Sequence, residues 1–270
     1  SSAASDVYKR QVFVISEIVC VACVPERPVA CDEKPGKISD MFKALFKNDQ
    51  AMTVVVSIIL VYTSLNICGN LVLYFFRFDV GNEGAYSIFA AVAFAAQVLV
   101  MMVIPLLRKR FSKSQLFISG FIIQIAGFAV ILIMAFAKLY TPQSWYILCL
   151  PGILIYLGYG MLNVIMTIFL SDSVDYGEVM NGTREESVIF SMQTFTVKLA
   201  SGVAVFLAGL VVDWIHLDTA AAVQTQDTLD ALRMWMTIPS VILLIVGIFV
   251  FKRFYKLDDT RMEEIKSKLN

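Results

Sequence analysis

The sequence predicts an all-α integral membrane protein, and three observations predict it. Hydrophobic residues make up 58% and charged residues 16% of the chain, where soluble domains hold about 45–50% apolar and about 25% charged residues. Mean hydropathy is +0.74. Several apolar runs exceed the ~18 residues that mark a membrane-spanning helix. The 270 residues would otherwise permit one large soluble domain or two small ones, and these runs exclude both. The lipid bilayer is the partner this composition demands. A formal net charge of zero gives no sign of nucleic acid, and none is expected as a partner.

Taken in order, Ser1 to Gln11 is polar and then basic, and it enters Val12-Phe13-Val14-Ile15 with neither cap nor linker. Residues 1–11 read as a non-native linker and are set aside. Residues 12–24 make about 20 Å of helix, too short for a hydrocarbon core about 30 Å thick, and are expected to be the remnant of a truncated transmembrane helix. Residues 25–50 are the soluble-looking connector, with Pro25, Pro28, Pro35, mixed charge and a short amphipathic close from Ile38 to Phe46. Two readings of it stand: a cytoplasmic loop between the halves of a transporter, or an ordinary juxtamembrane loop. Residues 51–252 form a six-helix bundle, with spans at 51–76, 86–107, 115–137, 144–170, 188–212 and 234–251. Pro105, Pro151 and Pro239 fall inside spans and predict kinks, since neighbouring membrane helices satisfy the freed backbone groups. Residues 253–270 form a charged tail.

The charges orient the bundle. Sixteen Lys and Arg residues fall on one set of alternating segments, among them Arg27, Lys43, Arg108, Lys109, Arg110, Lys113 and Arg184, against Arg77, Lys138 and Arg233 on the other. Positive charge stays on the cytoplasmic side. The expectation is a multi-pass protein of the inner (cytoplasmic) membrane, with the native N-terminal end and the C-terminus both cytoplasmic. Cys20, Cys23, Cys31, Cys68 and Cys149 show no zinc spacing, and the Cys20-x-x-Cys23 pair lacks a βαβ setting. No metal and no cofactor is expected. The single histidine, His216, falls in an external loop, which argues against an intramembrane enzyme.

Polar residues at depth carry the functional signal. Lys198 lies 12 residues after Glu186 and 15 before Asp213, roughly 18 Å and 22 Å along a helix, so it sits near the midplane. A lysine there costs about 2.5–3.5 kcal/mol to insert and demands a partner or water. At about 100° per residue, Ser187, Ser191, Thr194, Lys198 and Ser201 share one sector and Gln193 lies on another. Lys198 is expected to turn into the bundle. Its counter-charge is expected on an absent part of the protein or on Glu17, with a structural charge held by carbonyls or water as the other reading. Ala200, Ala204 and Ala208 repeat a small-residue pattern that lets a helix approach closely. Tyr62, Asn66 and Asn70 on the first span, and Tyr156, Tyr159, Asn163 and Thr167 on the fourth, form further stripes. Each reads either as cavity lining or as hydrogen-bonded glue between helices. The third and sixth spans, with Gln124 and Thr237 as isolated polar residues, are expected to be outer, lipid-facing helices.

The segment Ser171-Asp172-Ser173-Val174-Asp175-Tyr176-Gly177-Glu178, followed by Arg184 and then by Gln193-Thr194 and Lys198, closely resembles the signature of the glycoside-pentoside-hexuronide:cation symporters. These are the melibiose-permease-like branch of the major facilitator superfamily. The resemblance implies that the chain is the end of helix six, the central loop and helices seven to twelve of a twelve-helix protein, its C-terminal six-helix half. It implies alternating access, with a sugar (glycoside, pentose or hexuronide) and a coupling Na⁺, Li⁺ or H⁺ bound between the halves. Lys198, with Thr194 and Gln193 of the same motif, would lie at the substrate and cation site. The principal acidic ligands would be on the missing N-terminal half. Asp172, Asp175, Glu178 and Arg184 would form the cytoplasmic gate, the acidic residues pairing with basic groups across the opening. Tyr62, Asn66, Asn70, Tyr159, Asn163 and Ser191 are the cavity-lining candidates. Ser187 departs from the glycine of many relatives. A lysolipid or other amphiphile carrier of the same fold and an inactive truncated gene product remain the alternatives. Alone, the chain is expected to insert but not to transport, and the first six helices should restore uptake.

Overall fold

The computed structural model describes residues 11, 14–16, 18–19, 46–182, 186–221 and 223–269. The chain forms two compact units, residues 1–40 and 41–270. In the first, the described residues are helical; the linker reading of residues 1–10, Glu17, Cys20, Cys23, Cys31 and most of the connector lie outside the described residues. Among the described residues the second unit is built of helices joined by turns. It comprises α1 (Asp49–Tyr74), a π-helical turn (Phe75–Asp79), α2 (Ala85–Leu107), α3 (Lys113–Phe136), a 3-10 turn (Trp145–Leu148), α4 (Cys149–Asn181), α5 (Glu186–Trp214), α6 (Gln226–Phe254) and α7 (Asp259–Leu269). Six helices, α1 to α6, are long and apolar enough to cross a membrane.

Local chemistry sets their ends. Asn48 caps α1: its side-chain oxygen accepts from the Ala51 amide at 2.9 Å, and its Nδ2 donates to the Ser173 carbonyl at 2.8 Å, tying the start of α1 to α4. Ser112 and Gln115 form a reciprocal capping box at α3. Gly182 closes α4 in the left-handed conformation, φ 73°, the geometry glycine tolerates best. Pro105 and Pro239 lie inside helices, as expected. Pro151 falls in the first turn of α4, where the missing N–H leaves no intrahelical bond unmade.

Helix α1 packs against α4, α5 and α6, while α4 packs against α1, α2 and α3. The tightest crossing joins α3 to α4. A methyl group on Gly158 would sit 2.5 Å from the Gly120 carbonyl oxygen, and one on Gly127 would sit 2.7 Å from the Ile155 amide. Backbones that close leave no space for a side chain. Aromatic rings of Phe117, Phe121, Phe169 and Phe251 fill the centre next to this seam, with centroids 4.6 to 5.2 Å apart.

Buried ion pairs hold the two ends. At one, Arg233 of α6 donates from Nε to Asp79 at 2.9 Å and also from Nη2, and donates from Nη1 to Asp230 at 2.7 Å. The Arg233 and Asp79 side chains are each 3% exposed. Tyr140 adds a third donor to Asp79, and burial followed by the Asp79 hydrogen bond pushes the Tyr140 phenol pKa up. At the other end Lys113 of α3 pairs with Asp172 of α4, both nearly inaccessible, and reaches Asp259 at 3.6 Å.

Three expectations are corrected here. The sixth span starts at Gln226, two turns earlier than expected, so Arg233 lies inside α6 and not in a loop; its charge is tolerated there because Asp79 and Asp230 neutralise it. The third span is not an outer helix: 44% of its most apolar stretch is buried, against 28% for the second and fifth spans, and Gln124 is fully buried. Thr237 of the sixth span is also fully buried, its hydroxyl bonded to the Arg233 carbonyl at 2.8 Å. The charged tail contains a helix, α7, whose Met262 and Ile265, with Leu257, pack beside Tyr176 and Val179 of α4.

Two outcomes follow for stability in detergent. Gly158→Ala should destabilise the bundle by about 1–3 kcal/mol through overpacking, whereas Gly202→Ala, where an added methyl meets nothing within 4 Å, should leave the thermal midpoint unchanged or raise it. Asp79→Asn should cost up to about 3–5 kcal/mol by leaving Arg233 with only the part-exposed Asp230 as counter-charge, and the apolar pair Asp79→Leu with Arg233→Met should recover most of that loss; chemical denaturation of the three proteins measures both effects.

Candidate functional site

Helix α5 has three distinct faces. Ile189, Met192, Thr196, Ala200, Ala204, Ala208 and Val211 are buried, and this small-residue face is the one laid on α1. Phe195, Leu199, Val203, Phe206, Leu210 and Trp214 are exposed and large, a surface suited to hydrocarbon. Within roughly 60° either side of Lys198, at about 100° per residue, lie the exposed Ser187, Ser191, Thr194, Gly202, Val205 and Gly209 and the half-buried Ser201 and Val212, with exposed Phe195 and Asp213 at the edge. This third face is mostly small and polar, and Lys198 stands in its middle.

The expectation that Lys198 turns into the bundle is therefore corrected. Lys198, Ser191 and Thr194 are exposed, and Gln193 and Ser201 are half-buried. The alanine seam is packed on α1 and takes the interior, and the lysine face is left opposite. Among the described residues no hydrogen bond or ion pair reaches Lys198 or the Gln193 side chain. Ser191 and Thr194 spend their hydroxyl protons on the Ser187 and Phe190 carbonyls, at 2.6 and 3.3 Å. Glu17 and Arg184 lie outside the described residues.

Next to this face the stripes of α1 and α4 meet. Asn163 Nδ2 donates to the Tyr62 hydroxyl oxygen at 2.6 Å, and the Tyr62 and Tyr159 rings meet edge to face at 5.5 Å. Tyr156 follows at 6.4 Å from Tyr159. Tyr62, Tyr159 and Asn163 thus join the two helices, which is the glue reading. Tyr62 and Asn163 stay half-buried and also border the exposed side. Asn66 and Asn70 each donate to the carbonyl four residues back, at 2.7 Å, which leaves their side-chain oxygens unengaged. Thr167 is exposed and bonds the Asn163 carbonyl at 3.1 Å.

The gate residues divide. Asp172 was expected to pair across an opening; it is buried and pairs with Lys113 of the same bundle. The physical reason is that α4 continues as helix to Asn181, and this carries Asp172 against the start of α3. Asp175 and Glu178 are half-buried on that same extension. Sequence reasoning missed Asp259, which sits between Arg108 at 3.3 Å and Lys113. Burial raises the Asp259 carboxyl, but the hydrogen bond and charge of Arg108 together with Lys113 outweigh it and hold its pKa below the ordinary value. Burial, with Asp172 and Asp259 nearby, pushes the Tyr255 phenol up. An acidic residue opening a helix four residues after an aromatic was the available signal, and it is a weak one. Among the described residues no cluster of three or more His, Cys, Asp or Glu side chains is placed to hold a metal ion.

Six apolar helices that leave one polar face with a midplane lysine define a multi-pass membrane protein of transporter type. A model of the MFS/sugar transport protein family matches residues 13–259, and the chain belongs to that family. It is similar to an uncharacterized symporter of Bacillus subtilis strain 168, 25% identical over 93% of this chain and 54% of the relative. It is also similar to a raffinose carrier protein of Pediococcus pentosaceus, 22% identical over 95% of this chain and 41% of the relative. An isoprimeverose transporter of Lactiplantibacillus pentosus is 25% identical over 84% of this chain and 46% of its own length. The chain spans about half the length of the curated relatives it matches. Family and relatives are transporters and not enzymes, in agreement with the resemblance read from the motif.

Acid should loosen α7. Because the folded pKa of Asp259 is held below the ordinary carboxylate value, the contact is fully formed above that ordinary value and is lost as pH falls through the lower folded pKa. A spin label at exposed position 267 should become more mobile below about pH 4, and Asp259→Asn should show that mobility already at pH 7.

Proposed function

We propose that this chain forms one six-helix half of a sugar:cation symporter working by alternating access. The observation that carries the reading is the polar face of α5, with Lys198 near the midplane and no partner for it among the described residues. A lysine at that depth is not stable against lipid, so the face is best explained as the wall of an aqueous path closed by a second six-helix bundle. A carboxylate on that bundle would neutralise Lys198. Sugar and a coupling Na⁺, Li⁺ or H⁺ would bind between the two, with Thr194, Gln193 and the Tyr62–Asn163 pair on this side. Raffinose carrier and isoprimeverose transporter are names of relatives, and they support a sugar as substrate.

The same reading puts both ends of the bundle in the cytoplasm of a cell whose inner membrane holds the protein. Of the three cations assigned outside, Arg233 is buried in an ion pair and Arg77 pairs with Glu83 at 3.7 Å, while Lys113 on the inside is also buried in a pair, so the asymmetry stands. Asp175 and Glu178 would then face the cytoplasmic opening, while Asp172 acts inside the bundle.

In the protein completed with a first six-helix bundle, Lys198→Leu should abolish uphill sugar accumulation while membrane insertion is kept, because removing the charge relieves about 2.5–3.5 kcal/mol of insertion cost. Thr194→Cys should react with a water-soluble thiol reagent and be protected by sugar. Undiminished accumulation by Lys198→Leu would reduce Lys198 to a structural charge. This chain alone should insert and show no uptake under a Na⁺ or H⁺ gradient.

A further inference from the structure

A groove of about 330 Å³ opens between α1 and α5. Asn70 and Tyr74 line one side and Val205, Ala208, Gly209, Val212 and Asp213 the other. Val205 is 7 and Asp213 is 15 residues beyond Lys198, roughly 10 Å and 22 Å along the helix, so the groove begins two turns from the lysine and its carboxylate lies at the far end. Its volume falls in the range of small-ligand sites, about 300–1,000 Å³.

The polar atoms in the groove are unengaged. Among the described residues the Asp213 carboxylate and the Tyr74 hydroxyl have no hydrogen-bond or ionic partner, and the Asn70 side-chain oxygen is free because only its amide is used, on the Asn66 carbonyl. An ionised carboxylate can accept two neighbouring hydroxyls at once, and an amide and a phenol both donate and accept. Val212 and the Tyr74 ring offer an apolar wall to C–H groups. Gly209 forms the floor. A methyl group there would meet nothing within 4 Å, so this glycine serves no helix contact in the bundle, although glycine in a helix interior costs about 1 kcal/mol relative to alanine.

We propose that this groove is a docking subsite for neutral sugars, in which Asp213, Asn70 and Tyr74 bind ring hydroxyls and Gly209 leaves space for the ring. The proposal rests on the sugar-transport reading and adds a selectivity to it. The Asp213 charge rejects sugars that carry a carboxylate or sulfonate and admits uncharged glycosides. In the orientation proposed above, the groove lies at the outer mouth of the path, where such sorting precedes contact with Lys198.

The structure supplies a reporter. Trp214 follows Asp213 and packs tilted at 44° against Trp235, centroids 5.3 Å apart. With Trp145 replaced by Phe in the full chain held in lipid nanodiscs, lactose and raffinose should each produce a saturable change in tryptophan emission, and glucuronate at pH 7 should not. Asp213→Asn should weaken the neutral sugars by about tenfold or more, the scale of lost charge-assisted hydrogen bonds, and should let glucuronate bind. Gly209→Leu should abolish the response with helical content unchanged. A saturable response that survives both substitutions, or none with either neutral sugar, overturns the proposal. So does a response to NaCl alone that Asp213→Asn removes, which would make the groove a cation site. Lys198-dependent uptake with no groove response would leave the symport reading standing and remove only the subsite; a groove response in a completed protein that transports no sugar would do the reverse.

Discussion

Hydrocarbon offers no hydrogen bond, and nearly every polar group in the six spans is arranged around that fact. Hydroxyls of Thr53, Ser57, Ser173 and Thr237 bond the carbonyl four residues back on their own helix. Ser64 and Ser240 exchange bonds to each other's carbonyls, at 3.0 and 2.8 Å, and so lock α1 to α6. Charges are admitted only where a partner comes with them, as Arg233 does with Asp79 and Lys113 with Asp172. The amide of Gln124 and the hydroxyl of Thr63 are the buried exceptions among the described residues of the spans, and the Tyr255 hydroxyl joins them just beyond α6.

Lys198 breaks the rule in the open, and the rest of α5 shows why that matters. Had its polar stripe been stranded in lipid, the neighbouring exposed positions would be expected to be as large and apolar as Phe206 and Leu210. Those residues sit on a different face, and around Lys198 the helix carries mostly Ser, Thr and Gly, with Val205 among them and Phe195 at the edge. Small residues opposite the alanine seam mean that two sides of α5 are shaped for contact, one already used by α1. Half-buried Tyr62 and Asn163 add polar groups on α1 and α4, held together by their hydrogen bond and by the buried Tyr159 ring against Tyr62. A wall of groups held in this way, and incompletely satisfied, is the arrangement from which substrate binding gains most, because less ordering remains to be done on binding.

At the Lys113–Asp172 end of the bundle the same acidic motif serves two purposes. Asp172 is spent inside the bundle on Lys113, and Asp259 brings α7 to that pair. Met262 and Ile265 then cover Tyr176 and Val179, so the helix extension that carries Asp175 and Glu178 is braced on the side facing α7. Movement of that extension would have to carry α7 with it.

The sequence by itself determined the six spans, their alternation, the depth of Lys198 and the membership of each polar stripe. These are local quantities: span length, helical period and the side on which lysine and arginine collect can all be read along the chain without knowing any neighbour. Only the tertiary structure decided which stripe is packed and which is left open. It put Lys198 outside the bundle, moved Arg233 from a loop into a buried pair with a residue 154 positions away, drew Asp172 inward and buried the third span. Each of these depends on which backbones approach closely, and the glycines and alanines that set those approaches, Gly120 against Gly158 and Ala204 against α1, reveal their partners only once the helices have met.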